Sequence, residues 1–137
     1  MPTSSGDATQ SRLGFAAMSA SPTARLFSDI DTMDAKLFAS HLSEDGVLRF
    51  ANAPVVEGRE AIEEAIAGFF TTLKALRHEL VDQWDVDGAT IVEVEVTYTR
   101  LDGDQVTLPA VVIMRRSGDG ELIDDYRIFI DQGPLYA

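Results

Sequence analysis

The stretch ALRHELVDQW, from Ala75 to Trp84, gathers one of the chain's two histidines, an aspartate and its single tryptophan. In a β-strand, side chains alternate between faces, so His78, Leu80, Asp82 and Trp84 share one face while Glu79, Val81 and Gln83 share the other. An imidazole and a carboxyl facing an apolar cavity would make a general base and a general acid, because burial brings both groups toward a neutral working range. His78 and Asp82 are therefore the candidate catalytic residues. Four strand residues separate them, roughly 13 Å at about 3.3 Å per residue, so they would act as separate protic groups and not as a bonded dyad. The plainer alternative makes His78 a strand-end residue bonded to a backbone carbonyl and Asp82 a rim carboxylate.

The composition removes other chemistries. There is no cysteine, which excludes disulfides and thiolate nucleophiles, and His41 and His78 are too far apart in sequence to form a clustered metal motif. No metal or cofactor is expected. Asp124-Asp125 is a metal pair only on paper, since alternation sends the two side chains to opposite faces. The net charge is −12 and the isoelectric point about 4.3, with no basic cluster beyond Arg115-Arg116. Such a surface repels polyanions, so neither nucleic acid nor an anionic membrane is an expected partner. No apolar run approaches the roughly 18 to 20 residues of a membrane span. Leu13 to Ala20 is short and lacks a basic cluster before it, so an export signal is not expected and the reading is cytoplasmic.

These side chains need elements to hold them. Residues 1–20 read as a flexible tail rich in small residues, and residues 21–137 as a single domain. Ser21-Pro22 has the form of a helix N-cap followed by proline, with Leu26, Phe27 and Ile30 on one face. A break at Asp31 to Asp34 precedes a second short helix, Ala35 to Leu42, and a brief strand from Val47 to Phe50. The strongest helical period follows Gly58, where Ile62, Ile66, Phe69, Phe70 and Leu73 recur at steps of three and four. The period then falls to two. Strands are expected at Arg77 to Val86, Thr90 to Leu101, Gln105 to Arg116 and Leu122 to Ile130, joined at Asp87-Gly88, Asp102-Gly103 and Gly118-Asp119-Gly120. Helices first and an antiparallel meander second define an α+β class.

The order and spacing of LSEDGVLRF, VEGREAIEEAIAGFF, LRHEL, VTYTRLDG, LPAVV and DGELIDDYRIFID resemble the SnoaL-like branch of the nuclear transport factor 2-like superfamily, over Thr23 to Leu135. The resemblance implies a cone-shaped, curved antiparallel sheet wrapped around N-terminal helices, the cystatin-like α+β barrel, with a pocket inside. It does not carry over one activity, because related folds serve many chemistries. Ketosteroid isomerases are similar in layout, but their base, acid and tyrosine fall at Phe50, Val111 and Leu26 or Phe27 here, all apolar. Limonene epoxide hydrolases are similar too; Arg100-Leu101-Asp102 resembles part of their Asp-Arg-Asp set, yet Asp102 sits in a turn and their last-strand aspartate falls at Ile128.

Closing the second hairpin with a two-residue loop pairs Tyr98 with Thr107, Val96 with Pro109, Val94 with Val111 and Val92 with Ile113, a mostly apolar face assigned to the interior. The resemblance places Tyr126 inside as well, on the face shared with Ile128. The first hairpin has two solutions, because one residue of register flips every side chain. A two-residue loop turns His78 outward; a three-residue loop or a bulge turns His78, Leu80, Asp82 and Trp84 inward, and burial of Leu80 and Trp84 favours the second.

The expected function is a small-molecule pocket protein, an acid-base enzyme (isomerase, cyclase or dehydratase) on an apolar carbonyl-type substrate. His78 and Asp82 are its protic groups, and Phe50, Phe69, Trp84, Val94, Tyr98, Arg100, Val111, Tyr126 and Ile128 its ligand contacts. The alternative is a non-catalytic binding or dimerisation module whose cone is filled by its own phenylalanines. In either case the resemblance implies a homodimer through the convex sheet face, the alternative being a solvated outer sheet surface.

Overall fold

The computed structural model describes residues 21–137, so the flexible-tail expectation for residues 1–20 lies outside the described residues. Helix α1 (Pro22–Asp31) starts where Ser21 accepts a hydrogen bond from the Ala24 amide at 3.1 Å, and α2 (Ala35–Ala39) starts where Asp34 accepts from Lys36 and Leu37. In each case a short polar side chain satisfies amides that the first helical turn leaves without partners. Strands β1 (Leu42–Phe50) and β2 (Val56–Glu57) precede α3 (Arg59–Phe70), after which come β3 (Leu73–Val86), β4 (Ala89–Arg100), β5 (Gln105–Arg116) and β6 (Ile123–Ile130). A 3-10 turn, Gly133–Tyr136, closes the described chain.

The six strands form one curved open sheet in the order β2-β1-β6-β5-β4-β3, with the helices against its inner face. The long strands form the expected antiparallel meander. One pairing is different: β1 lies parallel to β6, Leu48 opposite Tyr126 and Phe50 opposite Ile128. Strand β1 also begins at Leu42, five residues before the expected Val47, and β3 begins at Leu73 instead of Arg77. The core joins Leu26, Phe27 and Phe38 to Ile62 and Ile66 of α3 and to Val92, Val94, Val112, Met114 and Tyr126 of the sheet.

Both hairpin registers depart from expectation. Between β4 and β5, Arg100 donates its amide to the Asp104 carbonyl and Gly103 adopts φ +95°, so the loop has three residues. Glycine reaches that left-handed conformation without a Cβ clash. The extra residue pairs Tyr98 with Val106, Val96 with Leu108, Val94 with Ala110 and Val92 with Val112. The inner residues of β5 are therefore Val106, Leu108, Ala110, Val112 and Met114, while Thr107, Pro109, Val111 and Ile113 face outward.

Between β3 and β4 the loop is the two-residue Asp87-Gly88, both at positive φ, and Val86 pairs with Ala89. The same ladder breaks between Leu80 and Asp82, where Val81 is bulged. Each sequence solution thus holds on one side of the bulge. His78, opposite Val96, and Leu80, opposite Val94, point inward, whereas Asp82, opposite Glu93, and Trp84, opposite Ile91, point outward. An extra residue in one strand re-aims everything beyond it.

Candidate functional site

The inner face of the sheet and the helices enclose a cavity of about 50 Å³. Its helix side is built from Ile30, Phe38, Ile66, Phe69 and Phe70, with Phe50 at the end of β1. Its sheet side is Leu76 and His78 of β3, Val94, Val96 and Tyr98 of β4, Ala110 and Val112 of β5, and Tyr126 and Ile128 of β6. Phe69 meets the rings of Phe50 and Tyr98 edge-on, at centroid separations of 5.2 and 6.2 Å. Among the described residues, no lysine or arginine lines it. An anion entering this space would lose its water and gain no opposing charge.

The polar element of the cavity is His78, fixed by a residue that the sequence reading passed over. Asp31, the last residue of α1, accepts from the His78 backbone amide at 2.9 Å with one carboxylate oxygen, and its other oxygen lies 2.6 Å from His78 Nδ1. An ionised carboxylate only accepts, so Nδ1 carries the proton and a neutral imidazole keeps its lone pair on Nε2. One helical turn earlier, Phe27 stacks on the imidazole at 4.8 Å. Phe27 and Asp31 are four residues apart and so share one face of α1, which grips the ring from two directions. The side chain of His78 is 11% exposed and that of Asp31 22%.

A signal for Asp31 was present in the sequence. Carboxylates are unfavourable at a helix C-terminus, where the dipole is negative, and α1 ends in Asp29-Ile30-Asp31. Both aspartates are used: Asp29 lies 2.7 Å from His41 Nε2, so α1 holds both histidines of the chain. His41 is thus held at the start of β1 by the end of α1.

Two phenols complete the polar groups. Burial pushes the Tyr98 hydroxyl up to about 12, opposed in part by the Gln132 side chain beside it and reinforced by Tyr136. Burial also raises Tyr126, with smaller contributions from Tyr98 and from the charge of Asp31. Both remain protonated donors across the neutral range.

Of the expected contacts, the structure brings Phe50, Phe69, Val94, Tyr98, Tyr126 and Ile128 to the cavity wall together with His78. Four expected residues are elsewhere. Asp82 is exposed on the outer face and accepts from the Gln83 amide, and Trp84 is 46% exposed on that face; the Val81 bulge moves both. Val111 is turned outward by the three-residue loop, and Ala110 and Val112 take its place at the wall. Arg100 donates from Nη1 to the Leu135 carbonyl at 2.7 Å and borders an outer cleft. Among the described residues there is no group of three or more metal-ligating side chains, and no helix is long and apolar enough to cross a membrane.

Comparison with known proteins agrees with this architecture. The family model for a SnoaL-like domain matches residues 23–124. No curated protein sequence matches the chain. Among solved structures, a putative SnoaL-like polyketide cyclase from Jannaschia sp. is 17% identical, with a TM-score of 0.69 over 82% of this chain and 84% of that one. The epoxide hydrolase/cyclase-like enzyme SalBIII, of pyran ring formation in salinomycin, is 19% identical, with a TM-score of 0.68 over 79% and 86%. A hypothetical protein of ketosteroid isomerase-like fold from Catenulispora acidiphila, in complex with trimethylamine, is 13% identical, with a TM-score of 0.66 over 76% and 83%. At these identities the likeness is one of fold.

Proposed function

Because this chain belongs to the SnoaL-like family, we propose that its cone binds a small, uncharged, apolar carbonyl compound and performs acid-base chemistry on it, with His78 as the base. The observation that carries this reading is the Asp31–His78 pair at 2.6 Å on the wall of an otherwise apolar cavity. Asp31 fixes the tautomer and the plane of the ring, so that the Nε2 lone pair takes a proton from the carbon next to the carbonyl. Charge then grows on the carbonyl oxygen, where the protonated phenols of Tyr98 and Tyr126 are the available donors. Returning the proton to another carbon completes an isomerisation. Returning it to a leaving hydroxyl expels water, a dehydration. Asp31 stabilises the imidazolium between the two transfers, which makes it a positioning residue.

A second reading also has an observation behind it. A cavity of about 50 Å³ holds only a few water molecules, and the edge contacts of Phe69 with Phe50 and Tyr98 fill much of the cone. A binding module with a self-filled core matches that packing. Under either reading we infer a homodimer through the convex face, where Trp84, Val81 and Phe129 are 46–48% exposed beside Val111 and Ile113.

The two readings separate by NMR. Cyclic ketones, lactones and epoxides are titrated into the protein while the His78 Cε1–H signal is followed, with His78→Ala as control. Saturable shifts at His78, and turnover of the bound class that disappears in His78→Ala, support the enzyme. If no member of the panel moves His78 or the Ile128 methyls, the self-filled module stands. Trp84 fluorescence does not serve here, because that ring is outside.

A further inference from the structure

A cyclic ligand does not fit the cone as it stands. The cavity measures about 50 Å³, whereas a dry apolar cavity of roughly 150 Å³ is what accepts a single benzene ring. Some part of the wall has to move. Val94, Val96, Ala110 and Val112 of the sheet and Ile66 of α3 are buried in the core, and His78 is held by Asp31 and Phe27. Phe50, Phe69 and Ile128 are different, because all three line the cavity yet are only partly buried. They also adjoin one another: Phe50 lies opposite Ile128 across the β1-β6 seam and meets Phe69 edge-on at 5.2 Å. Together they form the thin side of the chamber.

Beyond that side lies an outer cleft of about 380 Å³, bordered by Asn52, Ile130, Asp131 and Tyr136. Phe50 is the one residue common to the linings of cleft and cavity. Its backbone is pinned. The Ala51 amide donates to the Ile128 carbonyl at 2.9 Å, the Ala53 amide donates to the Phe50 carbonyl at 2.9 Å, and Ala51 takes φ +51°, which turns the chain sharply at the strand end. The freedom that remains is rotation of the ring between staggered rotamers. The cleft offers more than twice the space that one aromatic ring needs.

Resting on the pocket reading above, we propose that Phe50 is a gate: its ring swings from the cone into the outer cleft, and a ring of the ligand takes its place against the edge of Phe69. The ligand class follows from the space exchanged. It is an uncharged aryl ketone of about acetophenone size, whose flat six-membered ring reproduces the aromatic edge contact and whose carbonyl group reaches inward to Tyr98 and His78.

The test titrates acetophenone into wild type, Phe50→Ala and Leu76→Ala. The last of these enlarges the cone from β3, at the opposite edge of the sheet from β1 and β2. The readouts are the His78 Cε1–H signal, the nuclear Overhauser contacts of the Phe50 ring, and the association rate from NMR line shapes. In wild type, acetophenone is expected to shift His78 while the Phe50 ring loses its contact with Phe69 and gains one with Tyr136. Both variants make room, but Phe50→Ala alone removes the gate. For an open state populated at about 10% or less, its association rate should rise at least about tenfold, with Leu76→Ala staying within about twofold of wild type. If acetophenone shifts His78 while the Phe50 ring keeps its contact with Phe69, and Phe50→Ala associates no faster than Leu76→Ala, the gate is overturned and the pocket stands. If acetophenone moves neither His78 nor Phe50 in wild type, both readings fall. Should Phe50→Ala not fold, the Overhauser contacts of the wild-type ring decide alone.

Discussion

At the residue scale, Asp31 and His78 interlock, and their removal has separable effects. Asp31→Asn keeps the shape but offers an amide where a carboxylate held Nδ1–H. We expect the imidazole to lose its fixed tautomer, seen in the ¹⁵N shifts of His78, and stability to fall by about 2 kcal/mol for charge-assisted bonds that are partly exposed. An unchanged tautomer would rule out Asp31 as the orienting group. The two phenols give a pH prediction. Below pH 10 they are protonated in both the folded and the unfolded chain and leave stability unaffected. Above pH 10 the unfolded chain ionises first, so stability falls as pH rises toward about 12, the folded value of Tyr98. At about 1.4 kcal/mol per unit, Tyr98 alone accounts for roughly 3 kcal/mol, and Tyr126 shifts in the same direction. Urea unfolding of Tyr98→Phe between pH 9 and 12 should show a shallower decline than wild type.

At the element scale, the decisive object is the single bulged residue of β3. Deleting Val81 would remove the extra residue without changing a cross-strand pair, because Leu80 opposite Val94 and Asp82 opposite Glu93 then become consecutive, and His78 stays in the cone while Asp82 and Trp84 stay outside. We expect the shortened strand to keep the Asp31–His78 contact, read from the ¹⁵N shifts of His78, and loss of that contact would contradict the role given to the bulge. This also shows why the sequence was readable only in part. The α3 period, the four long strands and their turns were legible because each is written in consecutive residues. A bulge has no compositional mark, and the difference between a two- and a three-residue loop at Asp102-Gly103 turns on backbone geometry. Both errors of register, and with them the misplacement of Asp82, Trp84 and Val111, have that origin. The Asp31–His78 pair was missed for another reason: the two carboxylates at the end of α1 mark a helix end that needs partners, but they do not name His78, which is 47 residues away.

At the scale of the whole molecule, the convex face joins Trp84, Ile91 and Ile113 in one row to Val111 and Phe129 in the next. If a second copy covers it, Phe129→Glu combined with Trp84→Glu should halve the mass measured by sedimentation without lowering the melting point of the monomer fold. A wild-type mass equal to that of the variant would refute the dimer. The parallel contact of β1 with β6 has a different consequence, one of time. Leu48 and Tyr126 are 78 positions apart, whereas the hairpins β3-β4, β4-β5 and β5-β6 close over short loops. Loop-closure entropy delays the distant pairing, so the meander should assemble first and the cone should shut last. Truncating Phe50 or Ile128, which face each other across that seam, is then expected to accelerate unfolding in stopped-flow experiments while leaving the folding rate nearly unchanged. The chamber exists only after the slowest step.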